Sequence, residues 1–180
     1  MILAADQASA PVPLHLFQER TAASRVACDI PLQLLSELAM RILIAESDWL
    51  LSLEMEDALS RARHEVVYVT STATDALSAC EQKSIDLGLV NIALLESNTA
   101  GVDLAQRLHE RLGVPSILTG GQQRVARTLK DVAIGFLATP FSGCDARRAV
   151  QVAQNLLRGE PVEPSDLPPT MELFGGLHTH

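Results

Sequence analysis

Apolar and polar positions alternate in two different ways between residues 41 and 158. Five short apolar runs, bounded by polar residues or turns, are typical of strands buried on both faces of a sheet. They cover residues 42–45, 66–69, 86–95, 116–119 and 135–138. Each run is followed by a stretch in which apolar side chains recur every three or four positions, as on one face of a helix. Five such strand–helix units predict a parallel sheet with right-handed crossovers and helices on both faces.

The predicted helices differ in the width of their apolar faces. The fourth helix has the narrowest face, formed by Val125, Leu129 and Val132. Because a segment with few buried apolar contacts opens easily, we expect this helix to be the most mobile of the five.

The flanks of this region have a different composition. Residues 1–39 carry little pattern, with several prolines that interrupt any helix, and they are either a non-native upstream translation artefact or a loosely attached arm. The predicted domain covers residues 40–158. Residues 159–180, which we call the tail, are rich in proline and acidic side chains and are expected to be extended and flexible. The apolar patch MELF at residues 171–174 could dock on this domain or on a partner.

Composition and charge exclude several classes of protein. The 180 residues are 47% hydrophobic and only 3% aromatic, which suits one α/β domain with an aliphatic core. The net charge of −8 opposes non-specific binding to nucleic acid or to a membrane surface. Three cysteines without metal-ligand spacing, and the lack of a signal peptide, indicate a reduced, cytoplasmic protein. No apolar run approaches the roughly 18 residues of a membrane span.

Four motifs in residues 41–158 carry a resemblance to a known family. They are RILIAESD at the first strand, DLGLVNIAL at the third, GVDLAQRLHERLGVP around the third helix and GFLATPFS at the fifth strand. In this order and spacing, they resemble the receiver domain of two-component response regulators. The resemblance implies a flavodoxin-like, doubly wound, five-stranded parallel sheet with strand order 2-1-3-4-5. It also implies a signalling protein rather than an enzyme, which accepts a phosphoryl group from a histidine kinase on an aspartate of the third strand.

The resemblance also identifies the positions where that chemistry would occur, and most of them have changed. The phosphoacceptor aspartate is replaced by Asn91, whose neutral amide cannot attack phosphorus effectively. Of the acidic pair that would hold Mg²⁺, Glu46 remains and Ser47 takes the second place. The phosphate-binding lysine is replaced by Thr139.

The family pattern also has a switch hydroxyl on the fourth strand and a switch aromatic on the fifth. The residue at each of these positions has two possible interpretations. Thr119 is the expected switch hydroxyl at the crevice if the fourth strand is short; otherwise Gly120 holds that position. Phe136 matches the switch aromatic, or it is a half-buried aromatic on an edge strand. Glu46 and Asp48 are weak candidates for Mg²⁺, and we expect no other cofactor. Trp49 either lies over the mouth of the crevice or packs as an ordinary core side chain.

The leading interpretation is a pseudo-receiver that acts without phosphorylation. It would bind a signalling protein, such as a histidine kinase, a phosphotransfer protein or another regulator. In receivers the usual surface for partners and for homodimers is formed by helix four, strand five and helix five. The basic residues predicted there are Arg124, Arg127, Lys130, Arg147 and Arg148. The alternative is an active receiver phosphorylated on a non-standard residue, such as Glu46 or Thr119. A third interpretation is a small-ligand site, for which the chain lacks a glycine-rich fingerprint.

Overall fold

The computed structural model describes residues 39–175, which lie within one compact unit that begins at Leu38. The expectations for residues 1–38 therefore lie outside the described residues. Among the described residues, no helix has both the length and the apolar character that crossing a membrane requires.

Strands and helices alternate along the described chain as the pattern predicts. The strands are β1 (Arg41–Ala45), β2 (Glu65–Thr70), β3 (Leu87–Asn91), β4 (Ser116–Gly120), β5 (Gly135–Ala138) and β6 (Met171–Leu173). The helices are α1 (Trp49–Arg61), α2 (Ala73–Gln82), α3 (Ala100–Leu112), α4 (Gln123–Ala126) and α5 (Gly143–Leu157). Two short 3-10 helices, Arg127–Leu129 and Pro164–Asp166, complete the assignment.

The strands form one sheet in the order β2-β1-β3-β4-β5-β6. The first five are parallel, which confirms the predicted flavodoxin-like order 2-1-3-4-5. The sixth, β6, is antiparallel to β5 and was not predicted. Ala45 lies opposite Val90 and Asn91 lies opposite Thr119, so the carboxyl ends of β1, β3 and β4 meet at one edge of the sheet.

Each face of the sheet buries its own apolar cluster. Along β1 the side chains alternate: Ile42 and Ile44 face α1 and α5, whereas Leu43 faces α2, α3 and α4. All three are fully buried, because a central parallel strand has helices on both faces. The two clusters hold the strand ends in fixed positions, and those ends carry polar side chains.

The fourth helix is shorter than predicted. It consists of one α-turn, α4, which continues as the 3-10 helix Arg127–Leu129. Only Ala126 and Leu129 of these segments are buried, so little apolar contact supports a longer helix. Its relative mobility stays a prediction.

The tail is where the structure departs most from the expectation. From Gly159, which has a φ of 70°, the chain turns back along the domain and adds β6 to the edge of β5. Met171 joins the cluster beneath α1 and α5, and Phe174 joins the cluster on the opposite face. Up to Gly175, the tail is therefore docked on the domain rather than extended away from it, because its MELF patch buries apolar side chains on both faces of the sheet. β5 is consequently not an edge strand.

Candidate functional site

Three polar side chains meet where β1, β3 and β4 end. Glu46 directly follows β1, Asn91 is the last residue of β3, and Thr119 is the next-to-last residue of β4. We call this group the crevice. Gly101, near the start of α3, lies against the backbone of Asn91 so closely that a Cβ there would overlap the Asn91 carbonyl oxygen. The crevice is therefore fixed by close contact between β3 and α3 as well as by strand pairing.

Glu46 is the centre of the crevice and is only 3% exposed. Its Oε1 accepts hydrogen bonds from Asn91 Nδ2 at 2.7 Å and from the Asp48 backbone N–H at 3.0 Å. Its Oε2 accepts a longer one from Thr119 Oγ1 at 3.4 Å. Burial raises the pKa of the Glu46 carboxyl, and the donated hydrogen bonds oppose that rise only in part.

Asn91 acts as a hydrogen-bond bridge. Its Nδ2 donates to Glu46, and its Oδ1 accepts from the Ala93 backbone N–H at 2.9 Å. An ionised aspartate could accept from Ala93 but could not donate to the buried carboxylate. Asn91 thus gives the buried Glu46 a neutral hydrogen-bond donor at 2.7 Å, which an ionised phosphoacceptor aspartate could not provide.

The two residues after Glu46 have local structural tasks. Ser47 Oγ donates to the Ala93 carbonyl at 3.2 Å and ties the end of β1 to the loop after β3. Asp48 is the N-cap of α1 and accepts from the Leu50 and Leu51 backbone N–H groups at 3.0 and 3.2 Å. Within residues 39–175, no cluster of three or more acidic, histidine or cysteine side chains could hold a metal ion.

Thr119 and Phe136 are both about 1% exposed. Thr119 Oγ1 donates to Glu46 at 3.4 Å and so lies at the crevice, and β4 ends at Gly120, one residue later than the predicted 119. Phe136 lies in the core cluster on the side of α4, opposite Glu172 of β6. The interpretation of Phe136 as a half-buried aromatic on an edge strand is wrong, because β6 covers that edge.

Thr139 lies on the surface beyond β5. Its backbone N–H donates to the Gly120 carbonyl at 2.9 Å, and a cis peptide bond joins it to Pro140. No hydrogen bond of its side chain brings it into the network around Glu46. The roles that the resemblance implies for Thr119, Phe136 and Thr139 stay predictions.

Comparisons with known proteins bear on the fold. Neither a protein-family model nor a curated protein matches the chain. Solved structures do match, and the three described here each have a TM-score of 0.59. The CheY-like response regulator receiver domain protein from Methanospirillum hungatei JF-1 is 22% identical, and the match covers 67% of this chain and 98% of that one. The receiver domain of Erythrobacter litoralis PhyR is 21% identical, with 69% and 96% covered.

A third match is the signal receiver domain of a modulated diguanylate cyclase from Desulfovibrio desulfuricans G20. It is 24% identical, and the match covers 67% of this chain and 97% of that one. This chain has the receiver-domain fold. At these identities the similarity establishes the fold, and the nearly complete coverage of the three receiver domains shows that one whole receiver fold is present.

Within the receiver fold, two of the predicted basic surface residues bind the tail. Arg127 pairs with Glu172 of β6, with Nε 2.9 Å from Oε1. Arg148 Nη2 donates to the carbonyls of Ser165, Asp166 and Leu167 at 2.8, 3.2 and 3.0 Å. The other three, Arg124, Lys130 and Arg147, have exposed side chains. The tail thus covers part of the surface that we predicted for partners.

An apolar surface lies on a different part of the receiver fold. Trp49 is 74% exposed, Leu50 54% and Leu53 53%, all on the first half of α1. We call these three residues the α1 patch. Beside it a groove of about 330 Å³ runs between α1 and the loop after β5, lined by Leu50, Leu51, Glu54, Thr139, Pro140 and Phe141. Sequence reasoning missed Leu50 and Leu53, although both fall outside the buried face of α1 and this spacing was a usable signal.

Proposed function

We propose that this protein is a pseudo-receiver of a two-component pathway, which needs no phosphoryl group and acts in the cytoplasm by binding another signalling protein. The observation that carries the proposal is the hydrogen bond from Asn91 to the buried Glu46. Asn91 stands at the position of the receiver nucleophile, and its amide is a neutral hydrogen-bond donor. The receiver fold supports a signalling role, and the geometry of the crevice supports the lack of phosphorylation.

The chemistry of phosphoryl transfer supports this proposal in three ways. A carboxamide is a poor nucleophile and forms no ordinary acyl phosphate. The adjacent carboxylate is buried and carries no second acidic partner toward Mg²⁺, since Asp48 caps α1. Thr139 supplies no positive charge for the phosphoryl oxygens. Thr119 and Glu46, the alternative acceptors, are about 1% and 3% exposed, which hinders their access to a donor.

The α1 patch is the surface that we propose for the partner. Exposed tryptophan and leucine side chains on one helical turn, next to a groove, mark a protein-binding surface more strongly than scattered apolar residues do. Glu54 is also exposed on α1 and lines the groove. The matching partner is therefore an apolar helix face flanked by basic side chains.

A phosphorylation experiment tests the first half of the proposal. Incubation of the full chain with acetyl phosphate and Mg²⁺ should leave its mass unchanged. An adduct of about 80 Da on a crevice residue would favour the active receiver instead. Asn91→Asp alone should restore little labelling, because Ser47 and Thr139 still leave a carboxylate and a cation missing.

A binding titration tests the second half, using candidate histidine kinases and phosphotransfer proteins. Trp49→Ser combined with Leu53→Ser should weaken binding more than tenfold, because burial of such side chains contributes about 1.5 kcal/mol or more each. Leu112→Ser, a change of the same kind at an exposed leucine of α3, is the matched control and should leave binding within about threefold. Asn91→Ala should also stay within about threefold.

Two outcomes discriminate between surfaces. If Arg124→Glu combined with Arg147→Glu abolishes binding while the α1 variant binds normally, the partner uses the surface of α4, β5 and α5. If Asn91→Ala alone abolishes binding, the crevice is the working site and the pseudo-receiver proposal is wrong.

A further inference from the structure

The edge of β5 is built to receive an extended strand. β6 runs antiparallel to it with Gly135 opposite Leu173, Phe136 opposite Glu172 and Leu137 opposite Met171. Backbone hydrogen bonds extend beyond the paired residues, from the Ala138 N–H to the Thr170 carbonyl and from the Phe174 N–H to the Ile134 carbonyl, both at 2.9 Å. We propose that this edge is a strand-docking site for an extended peptide with the pattern Met-Glu-Leu-Phe, which β6 fills in cis and another polypeptide can fill in trans.

Gly135 makes the close approach of β6 sterically feasible. A Cβ at this position would lie 2.5 Å from the Glu172 carbonyl oxygen and 3.3 Å from the Leu173 Cα. Gly135 is not among the glycines with positive φ, so its backbone conformation alone does not require glycine. The absence of a side chain there serves the docked strand.

Three features define the segment that the site recognises. Met171 enters the cluster beneath α1 and α5, and Phe174 enters the cluster on the opposite face of the sheet. Between them, Glu172 accepts from Arg127 Nε at 2.9 Å and from Gln123 Nε2 at 2.7 Å. The site therefore selects an apolar residue, then glutamate, and an aromatic residue two positions after the glutamate.

The resident strand is short, and its side-chain ion pair is the exposed part of a contact in which Met171 and Phe174 are buried. It has only three residues, and its ion pair is exposed, with side chains of Arg127 and Glu172 that are 58% and 33% accessible. Such a pair is screened by salt and holds loosely. Arg148 binds backbone carbonyls of residues 165–167, a contact that does not depend on the tail's side chains. A tethered strand competes at an effective concentration near millimolar, so a free peptide should bind well only after the tail is loosened.

A fluorescent peptide of residues 163–175 tests the proposal on the full chain. The parent chain should bind it weakly, because β6 occupies the edge. Glu172→Lys places a lysine opposite Arg127 and should release the tail, so this chain should bind the peptide at least tenfold more tightly than the parent. Adding Gly135→Ala to the same chain should remove saturable binding, because a Cβ blocks the edge. A control peptide with lysine in place of Glu172 should bind the Glu172→Lys chain at least fivefold more weakly than the parent peptide.

A charge exchange tests the same edge if the Gly135→Ala chain fails to fold. The Arg127→Glu chain should release its own tail and should prefer the lysine peptide over the glutamate peptide, reversing the order seen with Arg127 present. The proposal would be overturned if the Glu172→Lys and Arg127→Glu chains each bound the two peptides equally well. It would also be overturned if a folded chain carrying both Glu172→Lys and Gly135→Ala bound the peptide as tightly as the Glu172→Lys chain does. Failure of the Glu172→Lys chain to bind the peptide at millimolar concentration would also overturn it.

Discussion

Replacing Asn91 by aspartate should destabilise the protein in a manner that depends on pH. The substitution removes the donor to Glu46 and places a second carboxyl against a carboxylate that is 2.7 Å from the present nitrogen. At an effective dielectric constant of about 20, two unit charges at about that distance repel by about 6 kcal/mol. One of the two carboxyls will therefore keep a proton if its protonation costs less free energy than this repulsion.

The free energy needed to keep that carboxyl protonated sets the size of the loss in stability. A carboxyl with an unfolded-state pKa of about 4.3 costs about 3.7 kcal/mol to keep protonated at pH 7, and about 1 kcal/mol at pH 5. Protonation is thus cheaper than repulsion at both values. We expect Asn91→Asp to lower the free energy of unfolding by up to about 4 kcal/mol at pH 7 and by about 1 kcal/mol at pH 5.

The sign of the pH dependence follows from proton binding. The carboxyl pair in the folded variant has a raised pKa, so the folded state binds more protons than the unfolded state above pH 4.3 or so. Stability is therefore lost as pH rises from there through the folded pKa. Glu46 in the parent protein, whose pKa burial also raises, should show a weaker trend of the same sign. Urea titrations at several pH values between 5 and 8 measure both slopes.

A double variant supplies the matched control. Glu46→Gln together with Asn91→Asp exchanges donor and acceptor across the same contact and leaves one carboxylate. It should recover most of the stability lost by Asn91→Asp and should remove the steep slope. The reasoning is refuted if the single variant matches the parent at pH 7, or if the double variant is as unstable and as pH-dependent as the single one.

Two further predictions use other parts of the domain. His64 is buried, its Nδ1 accepts from the Met40 backbone N–H at 3.2 Å, and burial, with a smaller contribution from the charge of Arg147, lowers its pKa. Stability should therefore fall as pH decreases from about 6.5 toward the folded pKa, and His64→Asn should flatten that part of a urea-monitored profile. The two glycines at opposite ends of α3 should differ. Gly101→Ala should cost more than about 3 kcal/mol by overlap with the Asn91 carbonyl, whereas Gly113→Ala, at φ 63° in open space, should cost about 1 kcal/mol in the same assay.

Most of the fold could be predicted because each strand and helix has a pattern of apolar residues within its own short segment of sequence. Each parallel strand is a short apolar run between polar residues, and β5 even has the predicted bounds of 135 and 138. The fourth helix was predicted as too long, because Val132 fits helical spacing but follows the last helical residue, Leu129. β6 was missed as a strand because the residues that it contacts, in β5 and at Arg127, are far from it in the sequence. Its ion pair joins residues 45 positions apart.

The candidate site was predictable in part for a similar reason. The order of the strands brings Glu46, Asn91 and Thr119 together once the fold is known. The direction of the hydrogen bond between Asn91 and Glu46 depends on how deeply the carboxylate is buried, which no local pattern reveals. The exposure of Trp49 likewise depends on where α5 packs against α1, which the sequence does not reveal. At 74% exposed, Trp49 is not an ordinary core side chain, so that interpretation is wrong.

The late position of β6 in the chain has a consequence for how the protein is made. All five parallel strands leave the ribosome before β6 does, and until then the backbone N–H and carbonyl groups along β5 have no partner on their outer side. An unpaired strand edge is a template for pairing with another chain. Nascent molecules that have folded through α5 are therefore exposed to edge-to-edge aggregation, and the arrival of Met171, Glu172 and Leu173 ends that period.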